Sequence, residues 1–97
     1  MNLRQREPRQ HDKRHLDFIR SLPCCICGDN TSTEAAHIRM GSTEHGKRSA
    51  GLQEKSSDKW AVPLCAKHHR EQHSMNEFAF WVLHGKDPFM IAITLRR

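Results

Sequence analysis

The chain has 97 residues, of which 36% are hydrophobic, so it allows one small domain whose limited core is expected to need a metal ion or disulfides for stability. Its 16 Lys and Arg against 11 Asp and Glu give a formal charge of +5, which favours a polyanion as partner, although such a balance is also common in proteins that bind none. The sequence has no apolar run long enough for a secretory signal or a membrane span, so we expect a soluble cytoplasmic protein without a membrane partner.

The amino-terminal part is expected to contain an arm, a helix and a strand. Residues 1–12 carry three arginines and few apolar side chains, which is typical of a flexible basic arm, and residues 13–97 then form a single domain. Apolar spacing over residues 15–22 predicts a short helix that ends before Pro23. Residues 34–40 are expected to form a short strand.

The carboxyl-terminal part is expected to contain a second strand and two helices. A long polar loop over residues 41–58 precedes the predicted strand 60–64, whose apolar side chains alternate. No helix breaker occurs between Cys65 and Gly85, so this stretch predicts the longest helix, and an Asp-Pro pair begins a last short helix over residues 87–95. The apolar positions at helical spacing in the long helix are Phe78, Trp81 and Val82.

Two pairs of candidate metal ligands share the same spacing. Cys24 and Cys27 are separated by two residues, and Cys65 and His68 repeat that spacing, so each pair can direct two donors at one ion. Tetrahedral zinc takes four such ligands and would cross-link two distant parts of the domain, which couples its binding to folding. His69 is an alternative fourth ligand, and the alternatives for the cysteines are ordinary buried thiols or disulfides, the latter disfavoured in a reducing compartment.

Three histidines occur within six positions of the long predicted helix. His69 and His73 are four residues apart, so their rings project from one face and can share one divalent ion. His68 points elsewhere, which lets it complete the zinc site. A lone histidine is more often a surface or satisfied core residue, but this density of histidines after a zinc pair favours a second metal site.

His37 lies on the first predicted strand, between the two zinc pairs in sequence. If zinc joins the pairs, this strand passes near the helix that carries His69 and His73. Hydrolysis of a phosphodiester needs a base for the attacking water and a cation for the charge that grows on the phosphate. These histidines would supply both, which predicts a metal-dependent DNA endonuclease; the alternative is a non-catalytic zinc-knuckle module that binds nucleic acid or a partner.

These segments resemble the HNH endonuclease family. Within that family, these segments together with Lys55, Asp58 and the later EFAFW at 77–81 are most similar to phage recombination-enhancement nucleases and their prophage relatives. The matching segments are CCIC at 24–27, AAHIR at 35–39, VPLC at 62–65, and His68, His69 and His73.

The resemblance implies a small α+β domain of the ββα-metal, treble-clef-like fold, stapled by zinc and flanked by helices. It implies that His37 is the general base, that His69 and His73 hold the catalytic ion, and that DNA is nicked or cut with a divalent ion. Many members of the family carry a metal ligand just before the base, where this sequence has Ala36. Whether a recombinase or another phage protein guides the nuclease stays open, as does the oligomeric state.

The middle asparagine of the family motif has no clear counterpart, since Trp60 occupies roughly its place. Asp58 is the candidate substitute and the second candidate catalytic residue. It is expected either to complete the metal shell or to orient the imidazole of His37 through the second ring nitrogen. A turn residue before a strand is the equal alternative. Trp60 and Trp81 both lie in apolar patterns, so we interpret them as core residues rather than base-stacking platforms.

Arg39, Lys47, Arg48 and Lys55 gather in and beside the long loop, where we expect them to contact DNA phosphates. A solvated loop is the alternative for each of them. The predicted cofactors are a structural Zn²⁺ and a catalytic divalent ion. The latter stays open among Mg²⁺, Mn²⁺, Ni²⁺ and Zn²⁺, because imidazoles favour zinc or nickel whereas carboxylates and waters admit magnesium or manganese.

Overall fold

Helices surround a two-stranded antiparallel hairpin. The computed structural model describes residues 12–42, 44, 46–47 and 57–96, so residues 1–11 of the predicted basic arm lie outside the described part. Within that part the chain is the predicted small α+β domain with one two-stranded sheet, and it has four α-helices where the sequence predicted three. The elements are α1 (Lys13–Arg20), β1 (Thr33–His37), β2 (Ala61–Cys65), α2 (Ala66–Ser74), α3 (Glu77–His84) and α4 (Pro88–Leu95), with a 3₁₀ turn over Asp58–Trp60 before β2.

The two strands pair in antiparallel register, from Thr33 opposite Cys65 to His37 opposite Ala61. Successive side chains of a strand point to opposite faces, so one face of the hairpin carries the core and His37 points to the other. The core-facing side chains are Ala36, Ile38, Trp60, Val62 and Leu64, which pack with Phe80, Trp81, Phe89 and Ala92 of α3 and α4.

Helix α2 contacts the edge of β1 that faces away from β2. The backbone N–H of Ile38 donates to the carbonyl of Trp60 at 2.9 Å, so the backbone of Ile38 pairs towards β2. Because this direction alternates along an antiparallel strand, the carbonyl of His37 points away from β2. There it accepts a hydrogen bond from Nε2 of Gln72 in α2 at 3.4 Å. The end of β1 is thus held against the helix that carries the histidine cluster.

The single long helix predicted between Cys65 and Gly85 is wrong, because the chain divides it into α2 and α3. Met75 has extended backbone, and Asn76 caps α3 with a side chain that accepts from the N–H of Ala79 at 2.9 Å. An asparagine that satisfies the first amides of a new helix competes with continuation of the old one.

The apolar face of α3 also differs from the prediction. Phe80 and Trp81 are buried, whereas Phe78 and Val82 are 67% and 62% exposed. The break before α3 changes the direction of the chain, so the face that meets the core cannot be extrapolated from α2. Trp60, like Trp81, packs in the core as predicted.

Glu77, at the start of α3, connects three segments. Its Oε1 accepts hydrogen bonds from the backbone N–H groups of Arg39 and Met40 at 3.1 and 3.2 Å. Its Oε2 accepts from Nε2 of Gln72 at 2.9 Å and from Nε1 of Trp81 at 3.2 Å. One carboxylate therefore holds the segment after β1 against α2 and α3, next to the candidate site.

The last helix begins at the predicted Asp-Pro pair. The side chain of Asp87 accepts from the N–H groups of Phe89 and Met90, and Pro88 occupies the first helical position, where its missing N–H costs nothing. The longest described helix has nine residues, whereas about 20 apolar residues are needed to cross a bilayer, so no described helix can span a membrane.

Candidate functional site

The first cysteine pair lies in a tight turn beside β2. Gly28 has a φ of +81°, a conformation that glycine adopts without strain, and its N–H donates to the carbonyl of Cys24 at 2.8 Å. The N–H of Ile26 donates to Sγ of Cys24 at 3.4 Å, and the N–H of Cys25 donates to the carbonyl of Pro63 at 2.9 Å. These contacts attach the turn to the hairpin and orient the sulfur of Cys24.

The second pair joins β2 to α2, and it meets the first pair in one cluster. Ligand atoms of Cys24, Cys27, Cys65 and His68 all lie within 4.8 Å of one another. Sγ of Cys65 lies 3.3 Å from Nδ1 of His68, and Sγ of Cys27 lies 3.9 Å from Sγ of Cys65. A tetrahedral zinc ion separates its sulfur and nitrogen ligands by about 3.6–3.8 Å. The four residues therefore lie together and could bind a metal such as zinc.

The ionisation of the cysteines distinguishes Cys24 from its neighbour Cys25. Burial opposes ionisation of Cys24, but hydrogen bonds from the backbone at Cys65 and Cys27 outweigh it, and the pKa falls from 9.0 to about 6. The thiolate that a metal requires is then present at neutral pH. Burial raises the pKa of Cys25 to about 12, and its side chain packs against the core. Cys25 is thus a core thiol rather than a ligand.

The variant Cys25→Ala is therefore expected to keep its metal. It removes a partly buried sulfur from the edge of the core, which should lower the free energy of unfolding by about 1 kcal/mol. Elemental analysis of the purified variant should find the same zinc per chain as in the wild type, whereas Cys24→Ala should lose it. Loss of zinc from Cys25→Ala would show that the ligands are assigned incorrectly.

A carboxylate and a further histidine lie next to the metal cluster. Oε1 of Glu71 is 3.0 Å from Nε2 of His84, and the rings of His68 and His84 meet edge to face with centroids 5.3 Å apart. Ligand atoms of His68, Glu71 and His84 also lie within 4.8 Å of one another. Because His68 is shared, these residues belong to the surroundings of the same cluster.

His69 and His73 lie on one face of α2 and form a pair. Their rings have centroids 4.9 Å apart, and Nε2 of His69 is 3.2 Å from Nε2 of His73. On the other side of the first ring, Nδ1 of His69 is 2.6 Å from Oε1 of Glu34 on β1. Two ring nitrogens that face each other at this distance can both coordinate one ion.

His37 is paired with the buried Asp58. Nε2 of His37 lies 2.9 Å from Oδ1 of Asp58, and Oδ2 accepts the backbone N–H of Asp12 at 2.7 Å. The side chain of Asp58 is 5% exposed and that of His37 is 25% exposed. Of the positions expected for Asp58, the structure shows the one beside His37. Asp58 is also the first residue of the 3₁₀ turn that precedes β2.

The three histidines of the candidate catalytic site belong to two separate pairs, His37 with Asp58 and His69 with His73. Glu34 and His37 are an odd number of residues apart, so their side chains leave opposite faces of β1, and Glu34 is the one that contacts His69. Among the described residues no hydrogen bond, ion pair or ring contact joins His37 to His69 or His73. The link between them is the hydrogen bond from Gln72 to the carbonyl of His37. The two pairs are thus separate, and Gln72 connects the segments that carry them.

The four residues predicted to contact DNA phosphates differ in burial and in whether the structure describes them. Arg39 is partly exposed just after β1. Lys47 is 6% exposed and pairs through its backbone with Ser42, and its contact with a DNA phosphate stays a prediction. Arg48 and Lys55 lie outside the described residues.

Sequence reasoning missed one residue that contacts the histidine pair and two charged residues on the same helix. Glu34 contacts His69 although the two lie 35 positions apart in sequence. Lys67 and Arg70 are exposed on α2, the helix that carries the pair. The predicted helix already contained Lys67 and Arg70, so they could have been named, whereas the contact of Glu34 depends on how β1 lies against α2.

Comparison with known proteins gives a family and corrects one interpretation. The family model described as a protein of unknown function, DUF968, matches residues 2–97. No curated protein and no solved structure matches the chain. The HNH endonuclease family, and with it the phage recombination-enhancement type, is not found, so the assignment to that family from short motifs was wrong. The match covers nearly all of the sequence, and the chain belongs to the DUF968 family.

Proposed function

We propose that the chain is a metal-dependent DNA endonuclease that hydrolyses phosphodiester bonds. In this proposal β1, β2 and α2 form a ββα unit, and the reacting phosphate lies near the end of β1. The observation that carries the proposal is the set of groups gathered there. His37, which ends β1, contacts a buried carboxylate, and two imidazole nitrogens 3.2 Å apart lie on the helix whose Gln72 contacts the same strand end.

His37 acts as the general base. Its Nε2 faces the Asp58 carboxylate, which only accepts hydrogen bonds, so Nε2 carries the ring proton and Nδ1 presents a lone pair. That lone pair accepts the proton of the attacking water. Asp58 is fixed in turn by the N–H of Asp12, and it stabilises the imidazolium that forms after proton transfer.

The histidine pair on α2 supplies the cation site. His69 and His73 can both direct Nε2 at one ion, and β1 is held against their helix by Gln72. A bound divalent cation stabilises the negative charge that develops on the phosphate and the leaving oxygen. The zinc cluster sits at the junction of β2 and α2, so it fixes the start of this helix relative to the hairpin.

The charge of the chain supports DNA as the substrate. The formal net charge is +5, and the exposed Lys67 and Arg70 lie on the same helix as the histidine pair. Contacts from such side chains to phosphates provide affinity without sequence information. We therefore expect cleavage with little sequence preference.

The test is nicking of supercoiled plasmid by zinc-loaded protein with Mg²⁺, Mn²⁺, Ni²⁺ or Zn²⁺ added. The wild type should nick with at least one of these ions. The double variant His69→Ala, His73→Ala should lose about 100-fold or more, since a cation contributes several kcal/mol to such reactions. Unchanged zinc content in the variant shows that the cysteine cluster is intact.

Two outcomes would contradict the proposal. Equal activity of the double variant and the wild type would place the reaction elsewhere. A wild-type protein that binds the plasmid but nicks it with none of the four ions would be the non-catalytic zinc-knuckle module instead.

A further inference from the structure

Glu34 fixes one histidine of the α2 pair. Its Oε1 lies 2.6 Å from Nδ1 of His69, and the two side chains are 50% and 21% exposed. A carboxylate only accepts hydrogen bonds, so Nδ1 of His69 carries the ring proton. The other nitrogen, Nε2, is left with a lone pair.

That lone pair points at the second histidine. Nε2 of His69 and Nε2 of His73 are 3.2 Å apart. A tetrahedral ion with metal–nitrogen bonds of about 2.0–2.1 Å holds two such nitrogens about 3.3 Å apart. His69 is therefore in the form and orientation that a ligand needs before any ion arrives. To become the second ligand, His73 has only to move its Nε2 proton to Nδ1 or release it to solvent.

We infer that Glu34 is a positioning residue for a two-imidazole cation site on α2, and that this site takes a borderline cation such as Ni²⁺ or Zn²⁺ in preference to Mg²⁺. The inference rests on the proposed function, because it assigns the ion proposed there. Imidazole suits zinc and nickel, whereas carboxylates and waters suit magnesium. The oxygen of Glu34 is engaged with Nδ1, which makes it an outer partner of His69 rather than a ligand.

A titration of Ni²⁺ into the full chain, loaded beforehand with one zinc, measures the site directly. Outer partners of metal-bound histidines typically contribute 10–100-fold in affinity, so Glu34→Ala should weaken Ni²⁺ binding by about that factor. Glu34→Gln retains an oxygen that accepts from Nδ1 and should keep most of the affinity. His73→Ala should abolish binding, and Mg²⁺ should bind far more weakly than Ni²⁺.

Asp17→Ala is the matched control. Asp17 on α1 is 54% exposed, close to the 50% of Glu34, and its removal changes the net charge by the same amount. It contacts Lys13 and Arg20 rather than a histidine, so Ni²⁺ affinity should be unchanged. A loss in this variant equal to that of Glu34→Ala would reduce the effect to net charge and overturn the role of Glu34.

Nitrogen-15 NMR of the zinc-loaded chain before Ni²⁺ is added reports the tautomer itself. His69 should carry its proton on Nδ1 in the wild type and in Glu34→Gln, and should lose that preference in Glu34→Ala. A general loss of structure would not reproduce this pattern, because the glutamine variant would be affected as well.

The remaining outcomes separate the inference from the proposed function. Equal Ni²⁺ affinity of Glu34→Ala and the wild type would overturn the role of Glu34 and leave the nuclease proposal standing. Loss in both Glu34 variants as complete as in His73→Ala would make Glu34 a ligand and overturn its positioning role. A wild type that binds no Ni²⁺, or binds Mg²⁺ more tightly, would overturn the cation site, and plasmid nicking would then decide the nuclease proposal by itself.

Discussion

Replacing Cys65 by serine is expected to unfold most of the chain at room temperature. Cys65 ends β2, caps α2 and lies in contact distance of both Cys27 and His68, so it joins the two halves of the metal cluster. A structural zinc contributes about 10–16 kcal/mol to folding in zinc-finger peptides. A domain of this size is stable by only about 5–15 kcal/mol in total. Loss of the ion therefore removes an amount of stabilisation about equal to the whole free energy of unfolding.

Circular dichroism and elemental analysis measure this effect together. Cys65→Ser should have less than one zinc per chain and a weakened helical signal, and chelation of the wild type should give the same spectrum. Cys25→Ala is the matched control, since it removes a neighbouring thiol that is not a ligand. A chelated wild type that keeps its full helical signal and cooperative thermal transition would show that the hydrophobic core suffices without metal.

His37→Gln is expected to reduce plasmid nicking by about 10²–10⁴-fold, the usual contribution of a general base. The glutamine amide can still donate a hydrogen bond to Asp58, so the buried carboxylate keeps a partner and the fold should be preserved. His37→Ala removes that donor as well. The buried carboxylate then loses one of its hydrogen bonds, which should cost about 1–3 kcal/mol of folding stability.

The comparison of the two variants separates catalysis from stability. Both should have low activity, with thermal unfolding close to wild type for His37→Gln and lower for His37→Ala, and zinc content should be normal in both. His37→Gln with wild-type nicking would exclude His37 as the base. If the variant and the wild type nick equally while His69→Ala, His73→Ala is inactive, the base has to be sought on α2.

Local patterns were sufficient for most of the secondary structure. Alternation predicted the second strand, and the Asp87–Pro88 pair predicted the start of α4, because a cap and a fixed φ act within a few residues. The division between α2 and α3 was missed. An asparagine inside a helical pattern is only a weak signal that one helix ends and another begins. Here Asn76 caps a new helix whose buried face includes Phe80 and Trp81.

The candidate site was predictable where spacing along the chain decides geometry. Two ligands separated by two residues converge in a turn or a first helical turn, which is why Cys24, Cys27, Cys65 and His68 were found together. The pairing of His69 with His73 follows from helical spacing in the same way.

Contacts between distant segments were not predictable from spacing. Glu34 meets His69 because β1 lies against α2. Asp58 was expected beside His37 as one of its alternatives, but from its place in the motif rather than from spacing. Short motifs also led to the wrong family, since a few histidines and cysteines at common spacings are shared by unrelated zinc proteins.

X-ray absorption at the zinc edge of the full chain tests most directly whether the two ligand pairs share one ion. Three sulfurs at about 2.3 Å and one nitrogen at about 2.0–2.1 Å are the predicted shell. They correspond to Cys24, Cys27, Cys65 and His68. A shell of two sulfurs or fewer, or a purified chain that holds no zinc and contains disulfides, would contradict the metal centre and remove the support for the site built beside it.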